Sequence, residues 1–222
     1  MDPLVEVDGL GKSFPGKRNL IGRVVERNHA VRDVGFTIAP GQTLGIVGET
    51  GAGKSTVGRM VLRLIEPDSG SVRMFGQDVL ALKGRELRTL RQRAQMIFQD
   101  PFSSLDPRML IRDQVGEPFT VHRGLPRAER DDLVVGLLER VGMRTDHLDR
   151  YPREFSGGQL QRIAIARALA TDPDFIVCDE PVAALDVSIQ AQVLNLLLDL
   201  QAERGIGFLF ISHDLSLVRF LA

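Results

Sequence analysis

Eight consecutive residues, Gly48-Glu49-Thr50-Gly51-Ala52-Gly53-Lys54-Ser55, combine a loop nearly free of bulky side chains with an ammonium group and a hydroxyl at its end. The spacing G-x-x-x-x-G-K-S lets backbone N–H groups wrap a phosphate chain, and the partial positive charge of a following helix N-terminus adds to the attraction. The chemistry implied is capture of a nucleotide triphosphate. Lys54 would reach the outer phosphates as a point charge, and the Ser55 hydroxyl would ligate Mg²⁺. A plain glycine-rich turn is the simpler explanation, but a chance match in a chain this long is on the order of one in a hundred. The context also fits: Thr43 to Val47 reads as a strand, and Val57, Met60, Val61 and Leu64 fall at i, i+3, i+4, i+7 of a helix opening at Lys54.

A second constellation is carboxylic. The run Asp174-Phe175-Ile176-Val177-Cys178-Asp179-Glu180 is an apolar strand ending in two acids. The first, Asp179, is expected to hold the Mg²⁺ shell opposite Ser55. Glu180, the adjacent acid, is then the candidate general base that polarises an attacking water. Two further apolar runs end in polar residues: Ala94 to Gln99, and Gly207 to Ser212 followed by His213. In an open parallel sheet, ligands bind outside the carboxyl ends of the strands. Gly48, Gln99, Asp179 with Glu180, and His213 should therefore meet at one edge. Phe14 ends the first strand, where an aromatic either packs or stacks on a nucleobase; the sequence leaves both open.

Phe155-Ser156-Gly157-Gly158-Gln159 opens another helix. Ser156 and Gln159 have capping-box spacing, which needs no ligand. Two glycines in a first turn cost roughly 1 kcal/mol each against alanine, a cost explained if the helix end must present bare N–H groups to an anion.

The elements that must carry these residues follow from punctuation and periodicity. Strands are expected over residues 4–14, 30–38 and 71–75, with a polar loop or hairpin tip at Gly16 to Asn28 holding Lys17, Arg18, Arg23 and Arg27. A turn falls at Pro67-Asp68-Ser69-Gly70, and a charged helix over Gly84 to Arg93. From Asp100 to about Arg150 there are helix signals without strand signals. A helix begins at Pro126 with Val134, Leu137, Leu138 and Val141 on one stripe, so a small helical lobe is inserted into an α/β domain. Ile189, Val193, Leu196, Leu197 and Leu200 give a packing helix that ends at Gly205. His29, His122 and His147 lie in polar surroundings and read as surface residues.

The 222 residues, 43% hydrophobic, suffice for one sizeable core. The 28 basic and 29 acidic residues are scattered, so nothing marks a nucleic-acid surface. The single cysteine, Cys178, fits a buried thiol in a reducing compartment. No run reaches the ~18 to 20 apolar residues of a membrane span, so a membrane role would act through a partner.

With these pieces in this order, the sequence resembles the nucleotide-binding subunit of ATP-binding-cassette (ABC) transporters, and most of all the oligopeptide/dipeptide importer ATPases, whose relatives also import nickel or glutathione. The resemblance rests on Walker A at Gly48 to Ser55, the Q-loop Gln99, and the signature Ser156-Gly157-Gly158-Gln159. Walker B ending at Asp179-Glu180, the D-loop Ala184-Leu185-Asp186 and the switch His213 complete it. Its importer flavour comes from Met96 to Pro101 with Ser104 to Met109, from Arg150-Tyr151-Pro152, and from Asp186 to Gln192.

The resemblance implies an α/β P-loop NTPase fold: a mostly parallel core sheet and an antiparallel β part (1–99 and 156–222) with a helical subdomain near 100–155. It implies two ATP and Mg²⁺ sites in a head-to-tail dimer, each between Walker A of one chain and Ser156-Gly157-Gly158 of the other. Phe14, Glu49, Thr50, Thr56, Asp186 and Gln159 join the nucleotide contacts, and Gln99 joins Ser55 and Asp179 at the metal. Gln99 would link the γ-phosphate to a groove receiving a coupling helix of a membrane permease, which works with a solute-binding protein at the cytoplasmic face of the membrane. Family members continue beyond the position of Ala222 with further strands, so a C-terminally truncated chain is expected. Ala183 stands where Ser is frequent, and Phe155 where Leu is usual. A soluble cassette ATPase acting on DNA or ribosomes is the competing class. Such chains usually carry a long coiled coil between Q-loop and signature, or two cassettes in one chain, whereas here a helical lobe fills the span from Gln99 to Ser156.

Overall fold

The computed structural model describes residues 2–16, 27–183 and 185–221. Its strands are β1 (Val5–Pro15), β2 (Arg27–Ile38), β3 (Thr43–Val47), β4 (Ser69–Met74), β5 (Gln77–Asp78), β6 (Ala94–Ile97), β7 (Phe175–Asp179) and β8 (Gly207–Ser212). They form two sheets. One is antiparallel, in the order β2-β1-β4-β5; the other is parallel throughout, in the order β3-β8-β7-β6. All four carboxyl ends of the parallel sheet therefore lie on one edge, as the polar strand ends required.

The helices are α1 (Lys54–Val61), α2 (Gly84–Arg93), α3 (Pro101–Ser104), α4 (Ile111–Arg123), α5 (Arg127–Arg140), α6 (Gly157–Leu169), α7 (Val187–Arg204) and α8 (Leu215–Leu221). β7 and β8 are continuous apolar runs because both faces of their sheet are covered. On one face Phe175, Val177, Leu209 and Ile211 join β1, β4 and α1 in a common core. On the other, Ile176, Cys178, Phe208 and Phe210 join α6, α7 and the helices between β6 and α6. The period of two along each strand assigns alternate side chains to the two cores. Burial pushes the Cys178 thiol far above its usual range, so it is an inert core group.

Residues 98–156 contain helices and turns but no strand. Ile111, Val115 and Phe119 of α4 and Val134 and Leu138 of α5 bury against Leu160 and Ile163 of α6. Buried Gln114 holds the connection before α4: its Oε1 accepts from Asp106 N at 2.7 Å, and its Nε2 donates to the carbonyls of Asp106 and Met109 at 3.0 and 2.9 Å.

Several expectations need correction. β4 starts at Ser69, inside the expected turn, because a bulge in β1 lets Gly11 pair with Ser69. β6 ends at Ile97, which leaves Phe98 and Gln99 beyond the strand. Two of the three histidines read as surface residues are not. His147 is buried, its ring standing edge-on to Phe155 at 5.2 Å. His122 is half-buried with Nδ1 at 2.6 Å from Gln92 Nε2, and burial beside Arg88 holds its pKa below the ordinary value. His29 is exposed as expected. Lys17, Arg18 and Arg23 of the basic loop, and Ala184 of the D-loop, lie outside the described residues.

Candidate functional site

The loop after β3 reaches α1 through two glycines in left-handed backbone, Gly51 at φ 86° and Gly53 at φ 85°. Gly53 also has no room for a side chain: a Cβ there would meet the Ala30 carbonyl oxygen of β2 at 2.0 Å. The antiparallel sheet thus backs the phosphate loop, and Gly53 is required both by conformation and by close approach. Gly53 is the N-cap of α1 and offers no side-chain oxygen, so the N–H groups of the first turn are not capped from within.

Lys54 is buried, and its Nζ donates to the Gly48 and Glu49 carbonyls at 2.7 and 2.8 Å. The ammonium is thereby curled inside the loop, 4.0 Å from Glu180 Oε1. Ser55 Oγ donates to Asp179 Oδ1 at 2.6 Å across 124 residues of sequence. The expected opposition of these two groups is therefore present in the fold. Burial is the main influence on Asp179 and raises its pKa. The Ser55 hydroxyl and Arg59 oppose the rise, the Glu180 charge adds to it, and Lys54 opposes it. Arg59, 4.0 Å from Asp179 Oδ2, was missed by sequence reasoning. Its place four residues after Ser55 on α1, hence on the same helix face, was the available signal.

Glu180 is the centre of the arrangement. Gln99 Nε2 donates to its Oε2 at 3.2 Å, and His213 Nδ1 lies 3.1 Å from the same oxygen. Asp179 and Glu180 are neighbours in sequence, so an uninterrupted strand would send them to opposite faces. The backbone at Glu180 instead turns left-handed, with φ 46°, while its N–H donates to the Ile211 carbonyl at 2.9 Å. Such a conformation costs of order 1–3 kcal/mol in a residue with a Cβ. It brings both carboxylates to the phosphate loop, Asp179 against Ser55 and Glu180 within 4.0 Å of Lys54.

The strand ends thus bring Gly48, Lys54, Ser55, Gln99, Asp179, Glu180 and His213 together. One hydroxyl and one carboxylate in contact form a donor set that suits Mg²⁺, which takes few protein ligands and completes its octahedron with phosphate and water. Gln99, also expected at the metal, bonds Glu180 rather than Ser55 or Asp179. Glu49, Thr50, Gly51 and Ala52 form the exposed rim of the loop, with Thr56 half-buried behind it. Phe14 is 37% exposed at the end of β1, with Lys12 Nζ 5.8 Å from its ring centre. Lys12 also donates to the Glu66 carbonyl and to Asp68, which fixes the strand end beneath the ring.

The second glycine cluster lies elsewhere. Ser156 caps α6: its Oγ accepts from Gln159 N at 3.4 Å, and its N–H donates to Gln159 Oε1 at 3.0 Å. Neither side chain bonds to the Lys54–Glu180 group. The two glycines have different reasons. A Cβ on Gly158 would meet Ile189 Cγ2 of α7 at 2.8 Å, whereas one on Gly157 would meet nothing within 4 Å. Packing accounts for Gly158; only Gly157 remains for a ligand to explain. Asp186 is exposed before α7 and makes no side-chain cap bond there.

The family model for the ABC transporter matches residues 31–183, from the strand behind the phosphate loop to the turn after Walker B. The chain belongs to the ABC transporter family. Among curated relatives, the ABC proteins named glutathione import ATP-binding protein GsiA are 50% identical in Pectobacterium atrosepticum and 51% in Escherichia coli K12, each over 98% of this chain. The chain spans 35% of the length of those relatives. Among solved ABC structures, the cassette MJ0796 in a dimeric post-hydrolysis state with ADP and Pi has a TM-score of 0.87 at 29% identity, covering 97% of this chain and 90% of that one. The cbiO1 protein of Clostridium perfringens, part of the ABC transporter complex cbiONQ, has a TM-score of 0.81 at 26% identity, covering 100% and 83%.

Proposed function

We propose that this cassette binds MgATP and hydrolyses it as the nucleotide-binding part of an importer of peptides or related small solutes. The observation that carries the reading is the convergence of Gln99 and His213 on Glu180, beside a lysine and a serine–aspartate pair. The relatives named for glutathione import favour an importer over a cassette acting on DNA or ribosomes, and make glutathione a candidate solute.

In this reading Lys54 leaves the Gly48 and Glu49 carbonyls to bind the outer phosphates, while the loop and α1 N–H groups cradle them. Ser55 and Asp179 would hold Mg²⁺, which would supply charge neutralisation to the phosphates. Glu180 accepts a proton from the water that attacks the terminal phosphorus, releasing ADP and phosphate. His213 and Gln99 orient Glu180 and that water. Phe14 stacks on the adenine. Ser156, Gly157, Gly158 and Gln159 meet the nucleotide held by a second cassette, identical or different, with Asp186 at the junction.

A groove of about 380 Å³, lined by Leu62, Leu64, Met96, Phe98, Val121 and Ala168 among others, reaches the residue before Gln99. It suits a helix of a membrane permease. Among the described residues no helix is long and apolar enough to cross a membrane, so the cassette would attach peripherally through that partner on the cytoplasmic side. Residues 1–222 act as one cassette, with the lobe near 100–155 as its movable part. The test is nucleotide binding by Lys54→Ala. MgATP affinity should fall by at least roughly tenfold, the loss of one charge-assisted contact; unchanged affinity removes the phosphate-loop assignment.

A further inference from the structure

Gln99 touches Glu180 from a segment that has little of its own to hold it. Phe98 and Gln99 lie past the end of β6, and Gln99 is exposed. The segment is nevertheless tied together internally. Asp100 caps the next turn, its Oδ1 accepting from Phe102 N at 2.9 Å, and Ser103 Oγ donates back to the Asp100 carbonyl at 2.9 Å. Both ends of this short unit are gripped by one helix. Gln161 of α6, 1% exposed, donates from Nε2 to the Phe98 carbonyl at 3.5 Å. Arg167 of α6 donates from Nη1 to the Ser104 carbonyl at 2.8 Å, and its Nη2 pairs with Glu117 of α4 at 2.9 Å.

We infer that Gln161 and Arg167 are positioning residues that strap Phe98–Ser104 to α6, so that events at the α6 N-terminus set how Gln99 engages Glu180. The inference rests on the reading that Ser156–Gly158 meet a nucleotide held by a second cassette. A single rigid helix carries the signature at its N-terminus and both straps within its next eleven residues. When the far nucleotide draws the N-terminus of α6, the segment holding Gln99 moves with it. Each cassette's general base is thereby oriented by the ATP of the other half. Arg167 does this better than lysine could, because its planar fork serves the Ser104 carbonyl and Glu117 at once.

The experiment is a double-mutant cycle in the intact protein, scored by ATP turnover and by binding of a fluorescent ATP analogue. Arg167→Met and Gln99→Ala should each lower kcat roughly tenfold, Arg167→Met leaving nucleotide affinity within about twofold; the double variant should lose no more kcat than Gln99→Ala alone. Losses that multiply to roughly a hundredfold overturn the strap. Arg167→Lys should recover part of the rate through the Ser104 carbonyl. If Arg167→Met does not fold, Gln161→Leu enters the same cycle.

Hydrogen exchange separates coupling from support. MgATP should slow exchange at residues 99–104 in the parent protein and fail to do so in Arg167→Met; slowing of equal size in both overturns the inference. A parent protein that does not hydrolyse ATP contradicts the ATPase reading, whereas normal hydrolysis with multiplying losses contradicts the strap alone.

Discussion

The two glycine-bearing helix starts, at Gly53 and at Gly157, look alike in sequence and differ in the fold. The first is enclosed: β2 presses on Gly53, Lys54 is buried, and Ser55 already bonds Asp179. The second is open: Ser156 is exposed and capped by its own Gln159, and nothing stands over Gly157. A preformed site can hold its ligand alone. A self-capped helix end with one unexplained glycine is, in the proposed reading, the half of a site that a second cassette completes.

Perturbations of the enclosed end should have the larger effects. Glu180→Gln keeps the hydrogen-bonding shape but loses the basic oxygen. Hydrolysis should fall by about 10² to 10⁴ with MgATP still bound, as single-turnover assays would show; turnover within a few-fold of the parent would remove Glu180 as base. Next comes Gly53→Ala, which adds a Cβ against the Ala30 carbonyl in left-handed backbone. It should destabilise the cassette by about 2 kcal/mol or more and abolish nucleotide binding.

The open end should respond in the opposite sense. Gly157→Ala should raise thermal stability slightly, by up to about 1 kcal/mol from helix propensity, yet weaken ATP-driven association of two cassettes measured by light scattering. Gly158→Ala should instead lower stability through the Ile189 contact. Equal effects of the two would break the distinction between them.

The smallest effect is expected at Asp68→Asn, beneath Phe14. Hydrogen bonds from the Lys12 ammonium and from the Ser13 amide and hydroxyl hold the Asp68 carboxyl well below its ordinary value of 3.8. A lowered pKa in the fold contributes its full stability above the ordinary value and loses it progressively as pH falls from there through the folded pKa. The variant should melt slightly earlier than the parent at neutral pH, and the gap should begin to narrow only below the ordinary value of 3.8 and keep narrowing as melts are taken further into acid. Its exposure keeps the effect small.

Much of this was legible in the sequence because the signals were local. The boundaries of α2 and β8, the cap at Ser156 and the glycine after α7 follow from turn chemistry and period within a few residues. The meeting of Gly48, Gln99, Glu180 and His213 followed from one topological rule applied to four polar strand ends. What escaped depends on distant neighbours. β5 is two residues long and exists only because β4 pairs with it. His147 is buried by Phe155, across an intervening 3-10 turn that has no periodicity. Arg167 bonds a carbonyl 63 residues away, and no pattern around it distinguishes it from an ordinary arginine on a solvated helix face.

The strand order carries one more consequence. β8 is the last strand of the parallel sheet in sequence yet lies between β3 and β7, so the strand bearing the phosphate loop and the strand bearing the acids touch only through it. Residues 207–212 are thus the keystone that sets the two at one edge, pairing with β3 on one side and β7 on the other. Without them the serine and the aspartate, 124 residues apart in the chain, would share no common frame.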